Sequence, residues 1–156
     1  PTQIRRYLNR VSGPFLDRID IGVEVPRQDL GMMAAEKSID EGSFPQTEQR
    51  NSSAVMRARV MEARARQEKR FADESISYNS QMTRRQIEEY CRLSGEDAVF
   101  LEKVERQQGI SARGHGKILK VARTLADLDG QAEIGRTQLA EAIGFRSFEK
   151  KYWGNL

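Results

Sequence analysis

The chain has 156 residues, enough for one ordinary domain, which typically buries about 70% of the surface its unfolded form exposes. Hydrophobic residues make up 38% and charged residues 31%, a composition suited to a helical protein with much solvated surface. No apolar run reaches the ~20 residues needed to span a bilayer, so no membrane partner is expected. One cysteine and one histidine exclude an internal disulfide and a Cys/His zinc cluster, so no metal site is expected. Without a signal peptide, a cytoplasmic location is the default.

Pro1, a favoured first helical residue, precedes Ile4, Tyr7, Leu8 and Val11 at helical spacing, and Ser12-Gly13-Pro14 ends that helix. Beyond Phe15 and Leu16, Ile19, Ile21, Val23 and Val25 alternate with Asp20, Gly22 and Glu24, the period of a strand with one buried face. Pro26 stops it. No second strand follows, and a lone strand needs partners that these residues do not supply, which is the first sign of a fragment. Residues 27–52 carry Gly31, Gly42, Pro45 and many polar residues with little periodicity, and read as a linker.

A long helix follows, capped by Asn51, Ser52 or Ser53 and running to about Phe71, with Met56, Val60, Ala63 and Phe71 as its apolar edge. Residues 50–71 hold seven Lys or Arg against two Glu, a local excess of five, so the net charge of +3 leaves the remainder near −2. Arg57, Arg59, Arg64 and Arg66 are therefore candidates for nucleic-acid phosphates, and the plain alternative is a solvated basic face. After a polar loop over residues 73–82, Thr83 and Gln86 match a capping box, with Ile87, Tyr90, Cys91 and Leu93 facing inward. Cys91 is expected to be a small core residue rather than a reactive thiol. Ser94 and Asp97 start the next helix, which places Val99 or Phe100, Leu101 and Val104 inside and closes at Gly109.

Residues 109–130 form the most strongly specified helix. Ser111 is its N-cap, Gly130 its positive-φ stop, and His115, Ile118, Leu119, Ala122, Leu125 and Ala126 make one apolar stripe. On this pattern His115 is a packed core histidine. Arg113 falls in the first turn on another face, above Lys117, Lys120 and Thr124, where a cation opposes the helix dipole unless it meets an anion. The helix over residues 135–145 buries Leu139, Ala142 and Ile143, and a tail with Tyr152 and Trp153 ends the sequence. The expected fold is mainly α, a helical bundle preceded by a short helix and one orphan strand. Its expected divisions are 1–26, a linker over 27–52, and a helical domain over 53–156.

Four stretches carry a resemblance. Residues 12–26, Ser-Gly-Pro-Phe-Leu-Asp-Arg-Ile-Asp-Ile-Gly-Val-Glu-Val-Pro, resemble the end of the nucleotide-binding core of magnesium-chelatase-like AAA+ ATPases, especially the bacterial subfamily of competence protein ComM and YifB. Residues 51–67, Ser111-Ala112-Arg113, and residues 118–128 resemble the lid of that family. The resemblance implies the C-terminal part of a longer AAA+ protein, with the orphan strand paired in the missing N-terminal core. Arg18, in Leu-Asp-Arg, matches the arginine finger, which would reach the nucleotide of a neighbouring subunit. Arg113 matches the sensor 2 arginine, expected to act on its own subunit's nucleotide. Where the family has a larger residue and an aromatic after this arginine, the chain has Gly114-His115-Gly116, which predicts a weak first helical turn.

No Gly-x-x-x-x-Gly-Lys-Ser/Thr loop and no apolar strand ending in Asp-Glu is present. ATP and Mg2+ are therefore expected of the full-length parent, with no cofactor and no ATPase activity for this piece alone. The implied parent is a homo-oligomeric ring, a hexamer, acting on DNA as a helicase or branch-migration motor in uptake and recombination. One alternative is a magnesium chelatase subunit serving porphyrin metalation. The other is a standalone basic helical module that binds nucleic acid.

Overall fold

A computed structural model of the protein describes residues 15, 18–25 and 52–146. The expected helix before Pro14, most of the linker and the Tyr152-Trp153 tail lie outside the described residues. Five α-helices follow in order: α1 (Ser53–Arg70), α2 (Arg84–Tyr90), α3 (Gly95–Gln108), α4 (Ala112–Leu128) and α5 (Arg136–Gly144). A short 3-10 turn, Asn79–Gln81, sits between α1 and α2.

Local chemistry sets each boundary. Ser52, Thr83, Ser94 and Ser111 accept hydrogen bonds from the backbone N–H three residues on, each satisfying one orphan donor of a first turn. Thr83 and Gln86 close the expected capping box. Gly109 ends α3 in the left-handed region at φ 68°, and Gly130 turns the chain after α4 at φ 72°.

Helix α4 is the axle. It packs against α5, α1, α2 and the 3-10 turn, while α3 leans on α5. Ile118, Ala122 and Ala126 of its stripe are fully buried, joined by Leu101 and Leu139 from α3 and α5. Phe71 meets Tyr90 edge-on, with ring centroids 5.4 Å apart. Cys91 lies inside this core, as expected, and burial pushes its thiol up to about 11.

A polar knot joins α1 to α4. The Asp127 carboxylate is fully buried and accepts hydrogen bonds from both terminal nitrogens of Arg70 and from Asn79 Nδ2 at 2.8 Å. Arg123 Nη2 lies 3.2 Å from the same carboxylate, and its guanidinium donates to the Ala132 and Gln131 carbonyls at 2.7 Å. Gln67 accepts the Asn79 N–H. Buried charges persist only when paired and hydrogen-bonded in this way.

One expectation needs correcting. The apolar edge of α1 is only half buried: Ala63 and Phe71 are inside, but Met56 and Val60 are 52% and 43% exposed. Arg66 already reaches Asp127 O and lies beside Gly130, where α4 ends, so residues 53–62 run past the helix that would cover them. The expected strand forms no ladder among the described residues, and Ile21, Val23 and Val25 are exposed. Extended backbone becomes a strand only beside another strand, and none is described here.

Candidate functional site

The first turn of α4 meets residue 18 across a cleft of ≈ 1120 Å³, whose other walls come from α2 and α3. Arg18, Arg84, Arg113, Lys117 and Lys120 all line it, with Glu88, Glu102, Glu105 and His115. The structure therefore brings the two sequence-predicted arginines, Arg18 and Arg113, to one concavity.

Backbone geometry fixes Arg113. The Ser111 hydroxyl accepts the Gly114 N–H at 3.1 Å, so the turn that carries Arg113 is capped. Gly114 is buried, and a Cβ placed on it would stand 2.7 Å from Ile110 Cγ2. The glycine that sequence reasoning takes as a weak point is thus where the Ile110 side chain packs onto the turn.

Pairing then sorts the charges. Arg84 Nε lies 3.1 Å from Glu88, and Glu102 accepts from Arg106 at 2.7 Å. Lys120 donates to the Ser80 carbonyl at 2.9 Å. Lys117 Nζ is 2.6 Å from both the Arg18 carbonyl and the Asp20 carboxylate. Among the described residues Arg113 has no hydrogen-bond or ion-pair partner. An exposed guanidinium at the positive end of a helix dipole is mildly unfavourable there by itself, and an anion in the cleft would relieve it.

His115 is not a core residue. Its ring is 45% exposed and Nδ1 lies 2.6 Å from Glu105 Oε1, because the first turn of α4 faces the cleft and not the hydrophobic interior. Neighbouring on α3, the Asp97 carboxyl is held below its ordinary range by the Arg136 hydrogen bond and then by Ser94.

None of Arg57, Arg59, Arg64 and Arg66 lines the cleft. Arg66 is committed to the Asp127 carbonyl at 3.0 Å, and Arg64 lies over the Tyr78 ring at 5.6 Å. Arg57 shares a helix face with Arg64, and Arg59 with Arg66, so the four form two separate stripes. Sequence reasoning missed the Arg70–Asn79–Asp127 knot; the only signal was Arg123 and Asp127 four residues apart beside the apolar stripe.

The donor set suits an oxyanion, above all a phosphate, for which forked, always-charged guanidinium groups are matched. It does not suit a bare divalent cation: among the described residues no cluster of His, Cys, Asp and Glu could hold a metal ion.

The described residues thus form a small α-helical bundle with Arg18 and Arg113 on one cleft whose cationic donors would fit an anion. The chain belongs to the magnesium chelatase family: the profile described as magnesium chelatase, subunit ChlI C-terminal, matches residues 50–146, and that of subunit ChlI matches residues 1–33. Within it the chain falls in the ComM/YifB-like branch. It is 41% identical to competence protein ComM of Haemophilus influenzae, over 94% of this chain and 26% of that protein. It is 39% identical to YifB of Escherichia coli over 96% of this chain and 27% of the relative, and 37% identical to YifB of Salmonella typhimurium over the same shares. The chain thus spans about a quarter of the length of the curated relatives it matches.

Proposed function

We propose that this chain is the lid and C-terminal portion of a ring-forming AAA+ ATPase, and that Arg18 and Arg113 contact the phosphates of ATP as arginine finger and sensor 2. The observation that carries this reading is their placement on one cleft, with no partner for Arg113 among the described residues. If Arg18 reaches into the neighbouring subunit, Arg113 on the same cleft would reach there with it, against the expectation that it serves its own subunit's nucleotide, and mixing each variant with a loop-disabled copy decides between these readings.

ATP with magnesium supplies the phosphoryl group and the leaving-group charge stabilisation in such an enzyme. The phosphate-cradling loop and magnesium-holding carboxylates belong to sequence this chain lacks. What these residues contribute is positive charge, aimed where negative charge gathers on a phosphoryl oxygen.

The full-length protein is, in this reading, a DNA motor of the kind that serves uptake and recombination, supported by the likeness to a competence protein. The chelatase alternative shares the same ring and arginines. The standalone DNA-binding module is disfavoured by the commitment of Arg66 to α4 and by the split of the basic residues into two stripes.

The test uses the full-length protein. Arg113→Ala and Arg18→Ala should each lower ATP turnover by about 10²-fold to 10³-fold, the scale of one preorganised donor. Each variant, mixed with a copy whose phosphate-binding loop is disabled, should recover activity at hybrid interfaces. Recovery by Arg18→Ala alone would return Arg113 to its own subunit's nucleotide. Stimulation by branched DNA supports the motor, whereas stimulation only by a porphyrin-pathway partner supports the chelatase.

A further inference from the structure

The contacts described between the turn that carries Arg18 and the helical domain are polar, with Ile19 half-buried among them. Ile21, Val23 and Val25 are exposed, and the contacts are polar and long in sequence. Lys117 donates to the Arg18 carbonyl and pairs with Asp20; Arg146 Nη1 donates to the Ile19 carbonyl at 2.8 Å; the Gly22 N–H donates to the Phe145 carbonyl at 2.9 Å. Both cations are well covered, with the Lys117 side chain 16% exposed and Arg146 4% exposed. Covering a lysine is costly unless its protons are used, and the two acceptors described for Lys117 both belong to this turn.

The geometry points to Lys117 as a positioning residue for the arginine finger. It clamps residues 18–20 to α4, one helical turn below Arg113, while the end of α5 grips residues 19 and 22 through Arg146 and Phe145. Because α4 is a rigid, packed helix, the clamp sets Arg18 and Arg113 at a fixed separation and makes them approach or leave a phosphate as one unit. Lys117 acts through Arg18, with its ammonium on the Arg18 backbone and not on the nucleotide. This rests on the reading of Arg18 and Arg113 as phosphate contacts, and the clamp itself is measurable without it.

Amide exchange on this chain reads the clamp directly. The Gly22 N–H should be protected in the wild-type chain, and Lys117→Ala should speed its exchange at least ~10-fold while the buried Leu139 N–H is unaffected. In the full-length protein Lys117→Ala should lower turnover at saturating ATP by about 10-fold to 10²-fold with KM little changed, the effect of a group displaced by about 1 Å. Lys117→Arg keeps donors for both acceptors and should restore most of that loss. Asp20→Asn decides between clamp and direct contact: it loosens the turn yet leaves the lysine, so it should share the Lys117→Ala loss in milder form. Unprotected Gly22 in the wild-type chain, unchanged Gly22 exchange in Lys117→Ala, or wild-type turnover in Asp20→Asn beside a large loss in Lys117→Ala would each overturn the proposal. Wild-type turnover in Arg18→Ala would instead sink the arginine-finger reading, with the Gly22 result still deciding whether the clamp exists.

Discussion

Two glycines two residues apart in α4 should respond in opposite directions to the same substitution. An alanine in place of a helical glycine gains about 0.5–1 kcal/mol from reduced freedom of the unfolded chain. At Gly116 the new Cβ would meet Ile87 Cδ1 at 3.4 Å, an ordinary contact, so Gly116→Ala should keep that gain. At Gly114 it would meet Ile110 Cγ2 at 2.7 Å. That methyl sits directly on a β-branched carbon and has one favoured χ1, so it moves only with its backbone or off its rotamer. Overpacking of this kind costs about 1–3 kcal/mol and outweighs the propensity gain. In a domain of this size 1 kcal/mol shifts Tm by about 4–8 °C, so thermal unfolding followed by far-UV circular dichroism resolves the two signs. Gly114→Ala in an Ile110→Ala background should recover the gain seen at Gly116. A Gly114→Ala protein as stable as Gly116→Ala would refute the close packing of Ile110 on the arginine-bearing turn.

Other perturbations test the interior and its charges. Asp127→Ala strands Arg70 and Arg123 and should cost ~3–5 kcal/mol in urea unfolding, against about 1–2 kcal/mol for Asn79→Ala; the reverse order would contradict the knot. The carboxyl of Asp97 is held below its ordinary range by Arg136, so its stabilisation is complete above the unfolded value near 3.9 and is lost as pH falls through the lower folded value. Arg136→Gln should therefore flatten the acid limb of a Tm-against-pH curve, and an unchanged limb would remove Asp97 from the acid response. Cys91, its thiol raised to about 11 by burial, should resist alkylation at neutral pH until denaturant is added. Fast labelling of the folded chain would mean that the core opens at that point.

Helix boundaries were legible because they are written in single residues. Ser111, Thr83 with Gln86, Ser94, Gly109 and Gly130 each solve a local backbone problem that does not depend on distant chain. The buried stripe of α4 was legible for the same reason, periodicity being a local property. His115 was misjudged because the stripe continues one turn beyond the core and opens onto the cleft, a fact of tertiary placement. The exposure of Met56 and Val60 depends on where α4 stops relative to α1, which no spacing within α1 records. The knot joins residues from 70 to 127 and lay beyond any pattern within one element. Arg18 and Arg113 were found by resemblance; their sharing of one cleft, and the lysine between them, came only from the folded arrangement.

Helix α1 is gripped at one end. Ala63, Gln67 and Arg70 fasten its C-terminal half to α4, and every side chain over residues 53–62 is exposed. At 1.5 Å per residue Ser53 lies about 26 Å along the helix from Arg70, so a tilt of about 10° at the knot swings the tip by roughly 4.4 Å. A small rotation of the cleft-bearing helix would thus arrive at Ser53 as a displacement comparable to an atomic diameter. In mechanical terms the pivot is a buried carboxylate with two guanidinium groups around it.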